Sequence, residues 1–512
     1  MYIARRPGLD AEIQDLSRPC GIIIVMHARR QAGLTIADRE ATVRSGDHLK
    51  SRHAAKRNSG FVRSLLFGAL AASLLLWVAL YNGYPTVYPD TGSYIYTGAF
   101  RIAVPPFRSP GYSVFLELTS LGASAWFTII AQAVAVVVVL YETCKFLIGG
   151  ESRFRDHCLL AFVCVLAALT SLPWETSLLM PDIFAGLVFL TAFLLAFNAR
   201  LRLAERFALA AILTVSVSTH ASLLPIAAAF VATLLASALV VPKLTGSPLR
   251  GTHSAMSVFL WLIVPLIASG LWTASLNSKM GLGFKVSVSG NEFLLGRLFG
   301  DGLAGDYLRE NCPTRQFVAC RHLNTLPKTP EEFLFWNPLL PDLDGNEEEI
   351  SQIVRGTLAA YPLRFAWISG KQTLRQLVTL RTGNEVRDYA LNAPNSNAEV
   401  IQQVFPGDFH AFSTSRLIRG RLVPLTDAVA AIDTAVFWLS LIACIILART
   451  HRREKLNGFF YSALIFLILN AAVCATFAGV YDRYQSRVAW IVPLCFASYV
   501  CCLVRNRKRA NS

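Results

Sequence analysis

Apolar runs near 20 residues long recur along this chain, and its charged residues are clumped between them. A helix of about 20 residues, rising 1.5 Å per residue, crosses about 30 Å of hydrocarbon. Such runs fall at about 62–83, 124–144, 157–173, 179–198, 204–220, 223–241, 256–275, 428–448, 457–479 and 486–504. Only 16% of the residues are charged and 54% are hydrophobic, with a mean hydropathy of +0.45. Soluble domains carry about 25% charged residues. The pattern excludes a soluble multidomain enzyme and predicts an all-α polytopic membrane protein with about ten transmembrane helices.

The chain carries a net charge of +15, from 48 basic and 33 acidic residues. The arrangement of these charges speaks against a nucleic-acid partner. With residues 1–61 placed in the cytoplasm as a basic N-terminal tail, every gap on that side is basic: Lys145–Arg155, Arg200–Arg206, Lys243–Arg250 and Arg449–Lys455. The final stretch, 505–512, is a second basic cytoplasmic tail. The short gaps on the opposite side, Pro173–Leu178 and His220–Ser222, hold no Lys or Arg. This alternation is the positive-inside rule, and it places both termini in the cytoplasm. The run Gly21–Met26 is too short for a span or a signal-peptide core, and Met26 offers an alternative start.

This topology divides the chain into transmembrane helices one to seven (62–275, including a first outer loop at 84–123), a mixed extracytoplasmic domain (276–427) between spans seven and eight, and helices eight to ten (428–504). The outer domain contains two amphipathic stretches. Glu347–Ala360 repeats Ile350, Ile353, Val354 and Leu358 at helical spacing, and a second helix restarts at Pro362 and runs over Leu363–Leu380. Such helices suit a membrane surface. Asn392–Asn397 reads as a loop. Cys312 and Cys320 lie eight residues apart in this outer segment, where an oxidising compartment favours a disulfide over two free thiols. The cysteines of the spans are packing residues.

Four acidic residues outside the large domain map to the outer face. Asp90 sits in Tyr88-Pro89-Asp90-Thr91-Gly92-Ser93-Tyr94, Glu175 and Asp182 flank the turn between spans three and four, and Asp482 lies between spans nine and ten. Carboxylates at a bilayer are costly unless solvated, paired or used, so they define a candidate site. Each has a plainer reading as well. Asp182 after Pro181 suits a helix cap, Glu175 a solvated turn, Asp482 a local pair with Arg483, and His220 an interfacial position. Arg101, Arg108, Arg483 and Arg487 lie at the same face against the positive-inside trend, and guanidinium forks suit phosphate oxygens. A carboxylate beside arginines at a lipid–water boundary fits attack of an acceptor hydroxyl on a sugar held by a polyprenyl phosphate.

In this arrangement the chain resembles the GT-C fold glycosyltransferases, which include protein O-mannosyltransferases and the lipid A aminoarabinose transferase. The resemblance rests on Asp90 in the first outer loop, on the following Phe107-Arg108-Ser109-Pro110-Gly111-Tyr112, and on the acidic second turn at Glu175 and Asp182. A long outer domain containing Tyr361-Pro362 ahead of the last spans completes it. It implies a cell-membrane, inverting glycosyltransferase working on the periplasmic or exterior face, with Asp90 as base and Glu175 or Asp182 assisting near the acceptor. Tyr94, Arg101, Arg108, Tyr112, His220, Asp482, Arg483 and Arg487 would line the substrate site. Its partners would be a polyprenyl-phosphate-linked sugar donor, membrane lipids and an acceptor that is a glycolipid, polysaccharide or protein. Many members pair two adjacent acids in this loop, whereas Thr91 follows Asp90 here, so metal-independent transfer is favoured over a divalent metal held by Glu175 and Asp182. The competing expectation is a transporter or flippase, for which the span-interior polar residues Gln132, Asp433 and Asn470 are the candidates.

Overall fold

The computed structural model describes residues 62–102, 108–245, 255–343, 345–451 and 453–510. The expected tail over 1–61, Phe107 and residues 246–250 of the basic gap lie outside the described residues. Among the described residues the chain is helical and contains no strand, and an isolated parallel bridge joins Thr86 to Leu178. Five helices among the described residues are long and apolar enough to cross a membrane: Ala125–Leu147, Phe259–Lys279, Val423–Thr450, Glu454–Phe477 and Asp482–Arg507. This is an all-α membrane protein.

The other expected spans are helices too, shorter or more charged at one end. The run at 62–83 is interrupted at Leu76 and continues as Trp77–Asn82, where Gly83 at φ 86° ends it. Ser152–Leu169 opens on Arg153, Arg155 and Asp156, and Leu203–Ser218 opens on Glu205 and Arg206. Ile183–Phe197 has only 15 residues, yet every side chain from Ile183 to Ala196 is buried. It is apolar all round because other helices surround it. Gly186 brings it against the indole of Trp490, since a Cβ there would stand 2.3 Å from that ring.

The segment 276–427 divides its packing between two cores. Leu295, Leu298, Leu303, Ile350 and Ile353 build a small separate core, next to which a disulfide joins Cys312 to Cys320. Leu380, Val386, Tyr389, Ile401, Phe405 and Leu422 instead enter the large core of the membrane helices. Asp408 fixes this second part in place. Its carboxylate accepts from the Ser124 hydroxyl at 2.9 Å and from the Ala125 amide at 2.9 Å, at the positive end of the helix Ala125–Leu147. The two amphipathic helices form at Glu347–Ala360 and Pro362–Val378, and Leu363, Trp367, Leu374 and Val378 of the second stay exposed. The loop at 84–123 is largely helical, with Thr91–Phe100 packed on Pro110–Ser120.

Candidate functional site

Backbone pairing brings the first two acids together. The Thr86 amide donates to the Ser177 carbonyl at 3.0 Å, and the Leu179 amide donates to the Thr86 carbonyl at 2.9 Å, which lays the chain before Asp90 against the turn before Asp182. Thr91 extends this seam by donating its hydroxyl to the Leu179 carbonyl at 3.1 Å. Asn397 clamps the turn from the other side, accepting from the Gly92 amide at 2.9 Å and donating to the Tyr88 carbonyl at 2.8 Å. Asp90 and Asp182 occupy the N-cap positions of Thr91–Phe100 and Ile183–Phe197, but neither side chain caps its helix. Both carboxylates are left to face the arginines.

The arginines arrive on the helix Asp482–Ala489, where Arg483 and Arg487 are four residues apart and share a face. Gln376 holds the start of this helix, accepting from the Tyr481 amide at 3.0 Å and donating to the Tyr481 carbonyl at 2.8 Å. Asp482 secures it further by accepting from the Arg381 amide at 2.8 Å and from the Asn384 side chain at 2.6 Å. Asn470 takes the Arg487 guanidinium at 2.8 Å.

The result is an alternating row of charge. Arg108 pairs directly with Asp90, and Arg483 reaches Asp90 at 3.4 Å and Asp182 at 3.2 Å. Arg487 follows at 3.6 Å from Asp182. Three guanidiniums thus enclose two carboxylates, and both ends of the row are cationic. Glu175 is buried behind it and accepts from the Ser486 hydroxyl at 2.8 Å. Burial, together with Asp182 and Glu385 nearby, pushes Glu175 well above the usual carboxylate range despite that bond.

Arg108, Asp90 and Arg483 of this row border a cavity of about 400 Å³, whereas Asp182, Arg487 and Glu175 are buried beside it and do not line it. Asp90, Tyr94, Arg108, His220, Ser222 and Arg483 line the head, while Val217, Leu224, Val473 and Phe477 give the remainder an apolar wall. His220 turns Nδ1 to the Ser222 hydroxyl at 2.9 Å, and Ser222 also accepts from Arg487 at 3.2 Å. This can receive an anionic headgroup with an aliphatic tail.

Other expected residues fall away from the cavity. Arg101 is exposed and pairs with Glu117, because its left-handed backbone at φ 59° ends the helix Thr91–Phe100. The Tyr112 hydroxyl donates to Gln132 at 2.8 Å, and its ring stands edge-on to Tyr94, so it supports the wall from behind. Asp482 anchors the backbone instead of pairing with Arg483. Among the described residues, no three His, Cys, Asp or Glu side chains gather to hold a metal ion.

Glu385 was not anticipated. It lies in a mixed-charge stretch where one more acid carries no signal, yet it is buried near Arg483, Asp182 and Asp482. Burial pushes its carboxyl up to about 8, against its own backbone hydrogen bond and Arg483, with Asp182 and Asp482 adding to the rise. The folded state therefore holds more protons than the unfolded chain between the ordinary value of 4.5 and about 8, and stability falls as pH rises through that window. Glu385→Gln removes this slope. Thermal unfolding in detergent should find the variant more stable than wild type at about pH 8.5 and level with it near pH 4.5. Parallel curves over the whole range would contradict a buried, proton-retaining Glu385.

No family model matches this chain, and no curated protein or solved structure matches it.

Proposed function

We propose that this protein is a GT-C-like membrane glycosyltransferase of about ten spans with both termini cytoplasmic. It would transfer a sugar from a polyprenyl-phosphate donor to an acceptor hydroxyl on the extracytoplasmic face. The observation that carries this reading is the row Arg108–Asp90–Arg483–Asp182–Arg487, whose first three members border a partly apolar cavity. Its excess positive charge suits a lipid phosphate. When the phosphate enters, it competes with Asp90 for Arg108 and Arg483 and frees the carboxylate.

Asp90 then takes the proton of the acceptor hydroxyl as its oxygen bonds to the anomeric carbon. The bond from that carbon to the phosphate oxygen breaks, and its electron pair leaves with the polyprenyl phosphate beside the arginines. A single displacement inverts the anomeric centre. Transport gains less support from the same geometry. Gln132 binds the Thr176 and Leu178 carbonyls, Asn470 binds Arg487, and Asp433 accepts from Thr382, with none of the three lining the cavity.

The test is lipid binding to the purified protein in nanodiscs. Polyprenyl phosphate should bind, neutral polyprenol should bind at least tenfold more weakly, and Arg108→Ala should weaken the phosphate lipid by about 10- to 100-fold, the effect of one charge-assisted contact. Equal affinity for the charged and neutral lipids would defeat the assignment.

A further inference from the structure

The wall of the cavity away from the charged row carries hydroxyls that the reaction as written does not use. The helix Ala255–Lys279 presents Ser269, Thr273 and Asn277 to the cavity, one residue per turn on a single face. Four residues rise about 6 Å, so the ladder runs for about 12 Å. The other side of the same helix is apolar and exposed at Val264, Ile267, Leu271 and Trp272, as a lipid-facing surface would be.

Serine and threonine inside a helix usually turn back onto the carbonyl four residues earlier, as Ser275 does onto Leu271 at 2.7 Å. Ser269 and Thr273 are buried residues that line the cavity, and no protein hydrogen bond engages either hydroxyl among the described residues. Asn277 donates its amide to the Lys285 carbonyl at 2.7 Å, which ties down the following loop and leaves its oxygen available. That loop adds Ser289, whose hydroxyl is buried at the cavity without a partner. Ser289 is thus a costly buried hydroxyl without a partner, and with the Ser269, Thr273 and Asn277 groups along the cavity it makes a row of polar groups that a polyhydroxylated ligand would satisfy.

We infer that Ser269, Thr273, Asn277 and Ser289 form a saccharide-binding ladder that leads to Asp90. The ligand class is a sugar presenting hydroxyls along an extended edge, either the donor's own sugar or an acceptor glycan. Its place in catalysis rests on the sugar-transfer reading, whereas the binding does not.

The experiment compares wild type, Ser269→Ala/Thr273→Val and Thr273→Ser in nanodiscs. The probes are polyprenyl-phosphate hexose, bare polyprenyl phosphate and maltose. If the ladder holds the donor sugar, the double variant loses about tenfold in affinity for the lipid-linked hexose and nothing for the bare lipid. If it holds the acceptor, the loss falls on maltose alone. Thr273→Ser keeps the hydroxyl and should bind like wild type in either case, which separates a lost contact from a disturbed helix. A double variant that binds all three probes as wild type does overturns the ladder while leaving the lipid-phosphate reading intact. Ladder-dependent binding of maltose by a wild-type protein that ignores both phosphate lipids supports the ladder and removes the transferase reading.

Discussion

Asp90→Asn should lower turnover by about 10²- to 10⁴-fold, the usual contribution of a positioned general base, while the protein still folds and inserts. Asparagine preserves the shape of the side chain but cannot take a proton. The same change removes one of the two carboxylates that neutralise the row, so Arg108 and Arg483 face each other across an amide. Affinity for polyprenyl phosphate should therefore rise, and the rise should shrink with added salt. Opposite movement of turnover and lipid affinity is the signature to look for. It separates a base from a purely structural ion pair, whose loss would loosen Arg108 and Arg483 and weaken both together. Single-turnover transfer from a polyprenyl-phosphate sugar, measured beside equilibrium lipid binding, gives both quantities. Wild-type turnover in Asp90→Asn would remove Asp90 from the chemistry.

Much of this organisation is legible in the linear chain because the bilayer imposes harsh rules on it. Apolar runs mark the helices, and an acid or arginine stranded between two such runs stands out against a quiet background. That is why Asp90, Asp182, Arg483 and Arg487, which lie up to 397 residues apart, can be picked out before their ion pairs are known. What cannot be read is which way each side chain turns. Arg101 and Arg108 look alike in sequence, yet a left-handed residue points the first to Glu117 and only the second meets Asp90. Asp482 and Arg483 are neighbours that a local reading would pair, but the helix sends them to different partners. Glu385 and the Ser269 ladder gave no signal for a different reason. An acid in a charged stretch and a serine in a helix are both ordinary; burial near Arg483 makes the first notable, and a place on the cavity wall the second.

Gly111→Ala should be the most damaging small substitution near the site. A Cβ on Gly111 would stand 2.1 Å from the Ser218 carbonyl oxygen and 2.6 Å from its carbon. These are backbone atoms at the end of the helix Leu203–Ser218, so no flexible side chain can yield. The contact is also held in place, since the Ser109 hydroxyl donates to that same oxygen at 2.5 Å. Relief requires the two helices to part by about 1 Å, and overpacking of this kind costs about 1–3 kcal/mol or more. The separation would act directly on the cavity, because Arg108 precedes this contact on one side and Ser218 and His220 line the cavity on the other. A misplacement of about 1 Å lowers a rate by up to about 10²-fold, so turnover should fall together with thermal stability. Gly370→Ala is the matching control. Gly370 lies inside the helix Pro362–Val378, where an added Cβ would meet nothing within 4 Å, and alanine there should stabilise by up to about 1 kcal/mol through helix propensity. If Gly111→Ala unfolds at the same temperature as Gly370→Ala and turns over like wild type, the close approach of these helices does not shape the site.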